Sequence, residues 1–287
     1  MTGLVVVNYN DYKNTINFVK SISDFKTIGH VVIVDNCSTD GSFNKLKKIC
    51  DNKVSLIKNV SNKGYGSGIN LGSKYLISNY GVDNIIVSNT DIIVKDNNDI
   101  SIMLNYLKDD VALVGPTVLE NGNLNRGWRI PSVWVDSLLN IPYFHKFIRK
   151  KMIFYRNSYY DNNYSIVDAV SGCFFIIKSD ALEKVDFFDE NMFLYYEENV
   201  MGIKLKNAGY TSLIINDVSV IHNHSVTIDN SMNRIRKYKT LKKSQRYFHK
   251  YYSNSSFIGM LFLDVTYLFM LCLLYILVFL KKNKKNS

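Results

Sequence analysis

Over its first hundred residues the chain alternates short apolar runs with polar stretches long enough to form helices. The runs lie at residues 4–7, 31–34, 54–57 and 85–87 and are built mostly from Val and Ile. Continuous runs of this length predict strands buried on both faces, so they set the βαβ rhythm of a parallel sheet. The intervening patterns predict helices over 12–23, 42–50 and 68–79, the second opened by the cap-like Ser-Thr-Asp-Gly of 38–41. Connections lengthen after residue 100. Residues 111–114 predict a further strand with Pro116 as its stop, 171–177 a buried strand that begins with small residues, and 212–215 another strand. A helical pattern then follows the acidic-aromatic block Asp189 to Glu198 and ends at Gly209.

In an open α/β sheet the loops after parallel strands converge on one edge, where ligands bind. Those loops carry Asn8 and Asn10, then Asp35 and Asn36, then the glycine-rich 62–70 with Lys63 and Gly64, and finally Asn89 and Asp91. Turn chemistry alone explains any one of these residues; their convergence suggests a polar site. The glycine-rich loop matches neither a Walker loop nor a dinucleotide fingerprint, but bare backbone and a helix start near Gly68 suit a nucleotide. Oxygen donors such as Asp91, with Asn89 two positions before it, suit a hard cation, Mg²⁺ or Mn²⁺. The block from 189 to 198 holds four carboxylates and three aromatic rings in ten positions. Acids are too costly to bury unpaired, and a solvated face would not interleave Phe193, Tyr195 and Tyr196, so the block is expected to wall a pocket.

The 287 residues are 47% apolar and 21% charged, enough for one large domain or two small ones. Four cysteines without a C-x-x-C pair indicate reduced thiols and argue against zinc. Met1 leads directly into an apolar run, with no charged segment of a signal peptide, so a cytosolic site is expected. The net charge of +10 concentrates in 234–250 and 281–285, and between them residues 257–280 contain Asp264 as their only charge. That length suits a membrane helix, spanning or surface-bound, and the adjoining cations suit anionic lipid better than nucleic acid. A buried core helix is the plainer alternative. Aromatic residues mixed with cations over 133–160, Phe144 among them, suggest a second membrane-facing or acceptor-facing segment. The expected organisation is a catalytic domain over 1–230, a basic helical linker over 231–256, an apolar helix over 257–280 and a basic tail over 281–287.

The ordered motifs VVVNYN, VDNCSTDGS, NKGYGSGIN, SNTD, WRIP, SGCFFIIKSDALEKVDFFDENMFLYYEE and KNAGY run from Leu4 to about His224. Together they make the chain resemble the inverting glycosyltransferases of family 2, within them the bacterial rhamnosyltransferase-like branch that builds surface polysaccharides such as capsule and O-antigen. The resemblance implies a GT-A fold: a Rossmann-like, mostly parallel sheet with helices on both faces, here with a helical, membrane-associated C-terminal tail. It implies a nucleoside diphosphate sugar donor, dTDP- or UDP-linked, with Asp35 at the base, Asn8 and Asn10 lining the same pocket, and Asn36, Lys63, Gly64 and Asn89 nearby. Asp91 would hold Mg²⁺ or Mn²⁺, and His222, with His224 as rival, would be a metal or phosphate ligand. Glu198 stands where the family places its general base, an Asp, and Glu197 would hold the loop or bind the acceptor. The acceptor would be a lipid-linked oligosaccharide or polysaccharide at the cytoplasmic face of the plasma membrane. Departures from the family pattern are Asn89, Glu198, Val200 and Lys204. The alternative is a non-catalytic, membrane-bound sugar- or nucleotide-binding subunit of a glycan assembly. A nucleotidyltransferase is disfavoured, since Asn8-Tyr9-Asn10 stands where its basic glycine-rich loop belongs.

Overall fold

A computed structural model of the protein describes residues 1–142, 145–223 and 234–283. Phe144, His224 and the tail beyond residue 283 lie outside the described residues. The four apolar runs form β1 (Thr2–Asn8), β2 (His30–Asp35), β3 (Val54–Lys58) and β4 (Asn84–Ser88). They pair in parallel in the order β3-β2-β1-β4, and β1, β2 and β4 are almost wholly buried, as their unbroken apolar character requires. Helices α1 (Tyr12–Ser21), α2 (Ser42–Leu46) and α3 (Tyr65–Tyr80) make the crossovers. Helix α3 begins three residues earlier than its pattern predicts and lies close on the sheet. A Cβ at Gly72 would come within 2.6 Å of Val5 Cγ1 and 2.9 Å of Val34 Cγ2.

Beyond β4 the sheet continues through β9 (Phe174–Lys178), β6 (Val111–Glu120) and β10 (Thr211–His222) to β5 (Ile92–Val94). Strand β9 is antiparallel to both β4 and β6, and β10 is parallel to β6, so β6 and β10 run in the direction of β1 to β4. Strands β9 and β5, and the short β7 (Asn123–Asn125) and β8 (Tyr164–Val167), run against it. The sheet is therefore mixed, with its parallel part where the sequence pattern placed it. One large apolar cluster packs on each face of the sheet, the first around Leu4, Val6 and Phe174 and the second around Val5, Val87 and Ile177. Alternate residues of β1 supply both, as strand geometry demands.

Pro116 does not end its strand. Strand β6 passes through it to Glu120, and the pairing with β10 jumps from Ile215↔Pro116 to Ser219↔Thr117. The missing N–H therefore falls beside a bulge in the neighbouring strand, where the ladder is already interrupted. Strand β10 likewise runs past Ile215 to His222, well beyond the four residues its apolar run marks.

The remaining helices are α4 (Asn97–Leu104), α5 (Val133–Leu139), α6 (His145–Ile148), α7 (Ser179–Lys184) and α8 (Glu197–Asn207), then α9 (Arg234–Tyr251) and α10 (Phe257–Asn283). Helix α10 packs against α5 and α9 through Gly259, Leu263, Thr266 and Leu274. Its opposite side, with Phe257, Leu261, Leu268, Phe269 and Ile276, stays exposed.

Candidate active site

The chain ends β4 at Ser88 and turns through Asn89, Thr90 and Asp91 into β5, which pairs with the end of β10 so that His222 faces Ile92 in register. This register brings together two residues separated by 131 positions: Asp91 Oδ1 lies 3.2 Å from His222 Nε2, and both side chains are about nine-tenths buried. The Asn223 N–H donates to the Asp91 carbonyl at 3.0 Å, and Glu120 Oε1 at the end of β6 stands 3.8 Å from His222 Nδ1. Burial pushes the His222 imidazole down, but Asp91 and Glu120 outweigh it and hold the ring above its ordinary value. A shallow cleft lined by Leu119, Asn121, Gly122, Ile221, His222 and Asn223 opens beside it.

The glutamate pair enters from the opposite side. Tyr195 and Tyr196 have φ of 73° and 71°, and Glu197 and Glu198 form the first turn of α8 directly after them. Glu198 Oε1 accepts from the Gly172 N–H at 3.3 Å, and a Cβ on Gly172 would lie 2.7 Å from that oxygen, so this position must lack one. Glu197 is 5% exposed and its Oε1 has no hydrogen-bond partner among the described residues. Burial makes both carboxyls hold their protons more tightly, and the Glu198 charge adds to this at Glu197; at Glu198 backbone hydrogen bonds, that from Gly172 among them, work against it. The next residue, Cys173, joins the two halves, because its carbonyl accepts from the Asn89 N–H at 2.8 Å. Its thiol is pushed up to about 12, first by burial and then by charge from Glu120, Glu198 and Asp91. The buried phenol of Tyr65, hydrogen-bonded to the Gly172 carbonyl at 3.3 Å, is raised by burial and by the charges of Cys173, Glu198, Glu197 and Asp91. Tyr65 and Cys173 therefore feel the carboxylates of both sides.

At the β1 and β2 ends the structure separates support from lining. Asn8 is fully buried: its Nδ2 donates to Asp35 Oδ1 at 2.8 Å and Ser38 Oγ at 3.0 Å, and its Oδ1 accepts from Thr15 Oγ1 at 2.8 Å. With both Nδ2 hydrogens and one Oδ1 lone pair used, Asn8 braces Asp35 from within the fold. Asp35 is also fully buried, its Oδ2 accepting from the Ser38 N–H at 3.2 Å. Asn36 ties down the next loop, donating to the Gly64 carbonyl at 3.0 Å and to Asn62 Oδ1 at 3.1 Å and accepting from Asn59 at 3.0 Å. Asn10, at φ 54°, remains partly exposed and accepts from the Thr39 N–H at 2.8 Å; Lys63 is exposed at the rim.

Gly64 has φ 108°, and a Cβ there would lie 2.1 Å from the Phe193 carbonyl oxygen. The adjacent Tyr65 N–H donates to that same oxygen at 3.2 Å. The glycine-rich loop is thus fitted against the acidic-aromatic block, which gives its glycine a packing reason independent of any phosphate. The block itself is divided in its tasks. Asp189 accepts from Tyr252 at 2.6 Å and Tyr247 at 2.9 Å, Glu190 accepts from Asn70 at 3.0 Å, and Tyr196 turns its ring against Phe248 of α9. Of its four acids, Glu197 and Glu198 are left for the site, and Tyr196 faces α9. Sequence reasoning missed Tyr65, Cys173 and Glu120, which carry no motif of their own, although Glu120 ends a long β-run.

The Asp91–His222 pair fits a divalent cation. An oxygen and a nitrogen bound at right angles to one ion lie about 3 Å apart, close to the spacing seen. The Glu120 carboxylate beyond Nδ1 is placed as a second-layer partner that would orient the ring. Among the described residues no group of three or more His, Cys, Asp or Glu side chains lies at ligand spacing, so substrate oxygens and water would complete the shell. The family model described as "Glycosyl transferase family 2" matches residues 4–186, which takes in β1 to β9 and Asp91 but ends before Glu197, Glu198 and His222. The chain belongs to glycosyl transferase family 2. As a glycosyltransferase it is 21% identical over 230 residues, 78% of this chain and 67% of the relative, to the low-salt glycan biosynthesis hexosyltransferase Agl10 of Haloferax volcanii. Its fold is shared with GalNAc-T7, solved with UDP, GalNAc and Mn²⁺, at TM-score 0.59 and 16% identity over 78% of this chain and 44% of that one. It is shared equally with the mannosyltransferase PcManGT of Pyrobaculum calidifontis, solved with GDP-Man and Mn²⁺, at TM-score 0.59 and 15% identity over 85% and 62%. S. aureus TarS 1–349 with UDP-GlcNAc follows at TM-score 0.57 and 14% identity over 86% and 64%. The family 2 chain thus has the expected GT-A fold and spans less than two thirds of each of these solved chains.

Proposed function

We propose that this glycosyltransferase moves a hexose or deoxyhexose, rhamnose being the branch-level choice, from a UDP- or dTDP-sugar to a lipid-linked oligosaccharide or polysaccharide, with inversion. The observation that carries the reading is the convergence of Asp91 and His222 on one side and Glu197 and Glu198 on the other, joined through Gly172 and Cys173. Asn10 would meet the nucleoside, with the buried Asp35, Asn8 and Asn36 fixing the loops around it, Lys63 and Gly64 at the rim and Asn89 beside the diphosphate. Asp91 and His222 would hold Mg²⁺ or Mn²⁺, which supplies positive charge against the leaving diphosphate. Glu198 takes the acceptor hydroxyl proton as that oxygen attacks the anomeric carbon opposite the diphosphate; one displacement inverts the centre and needs no nucleophilic carboxylate. The half-buried setting that raises Glu198 brings it toward the pH at which a base both holds and releases a proton. Glu197, buried at the root of α8, would hold the loop or bind the acceptor. The curated relative's role in glycan biosynthesis and the nucleotide sugars bound by the solved neighbours support this reading.

We place the protein on the cytoplasmic face of the plasma membrane, in surface glycan synthesis, with α10 lying in the lipid surface. Two observations favour lying over spanning. Helix α10 buries one side on α5 and α9, and the polar helix α9 runs beside it, with Arg246 paired to Asp264 at 2.9 Å and Lys239 donating to Tyr275 at 3.0 Å. A spanning α10 would carry those cations into hydrocarbon.

Thermal unfolding tests the donor and metal assignment. UDP and dTDP with Mn²⁺ are each assayed on the full chain, and at least one pair is expected to raise the melting temperature by roughly 5 °C. Asp91→Ala removes the gain. Absence of stabilisation by either nucleotide, with or without Mn²⁺, contradicts the reading.

A further inference from the structure

A second buried polar cluster lies outside the chemistry above. Asp136, in the first turn of α5, and His249, near the end of α9, are 1% and 0% exposed, and their Oδ2 and Nε2 atoms are 2.7 Å apart. The same Oδ2 accepts from the Tyr196 hydroxyl at 2.5 Å. That hydroxyl in turn accepts from Gln245 Nε2 at 2.8 Å, and Gln245 Oε1 accepts from Lys242 Nζ at 2.5 Å. His249 Nδ1 lies 2.8 Å from Ser253 Oγ, and Ser244 Oγ donates to the Leu194 carbonyl at 2.8 Å. Met192, Val200 and Phe248 enclose the cluster with apolar surface. Burial pushes the Lys242 ammonium down to about 8, while the Asp136 charge works to raise it.

A network of this kind is expensive to assemble, since every polar group in it has left water. Its position gives it a task. Tyr196 is the last residue before α8, and both it and Tyr195 are held in the left-handed region that bulky residues avoid. Without restraint the pair relaxes toward ordinary backbone, and the first turn of α8 rotates with it. Glu198 lies two residues on, its carboxylate accepting from the Gly172 N–H at 3.3 Å. The loop is gripped by α9 at three points, Asp189, Leu194 and Tyr196, and Tyr196 is the grip nearest the glutamates.

We propose that Asp136, His249 and Gln245 are positioning residues: by holding the Tyr196 hydroxyl they fix the left-handed Tyr195-Tyr196 step and so set the direction in which Glu198 leaves α8. The inference rests on Glu198 as the base. It also makes α9 a structural part of the active site, although that helix lies beyond the matched family region.

The test is Tyr196→Phe in the full chain in detergent, which removes one oxygen and keeps the ring against Phe248. Amide exchange over residues 194–200 is expected to quicken roughly tenfold, because a buried hydrogen bond to a charged group is lost. In hydrolysis of UDP- and dTDP-sugars with Mn²⁺, kcat is expected to fall about 10- to 100-fold while donor KM stays within about twofold. In a Glu198→Gln background the same change should cost nothing further, whereas a merely structural contribution would lower both backgrounds equally. An unchanged kcat, or equal losses in the two backgrounds, overturns the proposal. Should the wild-type chain hydrolyse no donor, the transfer reading fails by itself; unchanged exchange over 194–200 then overturns the hold on the Tyr195-Tyr196 step as well, and faster exchange upholds that hold alone. If Tyr196→Phe does not fold, Gln245→Leu probes the same hydroxyl from the helix side.

Discussion

Two adjacent glutamates at the start of one helix, one almost fully buried, cannot both ionise at low cost. Folding therefore favours their protonated forms, and both hold protons more tightly than the ordinary value of 4.5. For a raised acid the contribution to stability is complete below the unfolded value and is lost as pH rises through the folded one. The melting temperature is expected to fall as pH rises from about 5 to about 8, and Glu197→Gln, which carries no charge, should flatten that slope. A slope unchanged in the variant would mean that Glu197 is ionised at little cost. The Asp189 carboxylate behaves oppositely: burial pushes it up, but hydrogen bonds from Tyr252, Asn191 and Tyr247 prevail and keep it below its ordinary range. Neighbouring acids of one block thus differ in chemistry because their partners differ, which composition alone does not reveal.

Elements formed by local pattern were legible in the chain before its structure. The strands β1 to β4 are continuous apolar runs, and doubly buried strands have no other composition open to them. The strand-end loops then followed from topology, and Asp91 with His222 and Glu198 with its pocket were reached from motif and position. What escaped depends on pairing between distant residues. Pro116 reads as a stop unless one knows that the facing strand bulges beside it. That Asn8 braces Asp35, through bonds it also shares with Thr15 and Ser38, is invisible until the two strand ends are seen side by side. The task of α9 was hidden for the same reason, since Asp136 and His249 stand 113 positions apart and neither sits in a recognisable motif. Its basic composition pointed to lipid, while its inner face holds the loop from Asp189 to Tyr196.

At the scale of the molecule, a GT-A sheet presents its site at the strand ends and a helical tail bears on that site from outside. Helix α10 offers an apolar face, with Trp134 of α5 packed on Phe262 at 5.7 Å between ring centroids, and cations beside it. Replacing Leu261 and Leu268 by Glu together is expected to abolish co-flotation with vesicles of phosphatidylcholine and phosphatidylglycerol, with little change in melting temperature because both side chains are exposed. Retained flotation would assign the face to another partner, and a change in oligomeric state would assign it to a second copy. The central claim, single-displacement transfer with Glu198 as base, is tested most directly by proton NMR of donor hydrolysis with Mn²⁺, read before the released sugar mutarotates. The account predicts that the first sugar released has the anomeric configuration opposite to the donor's, and that Glu198→Gln slows release by about 10²- to 10⁴-fold. Release with the donor's own configuration, or an undiminished rate in Glu198→Gln, would contradict it.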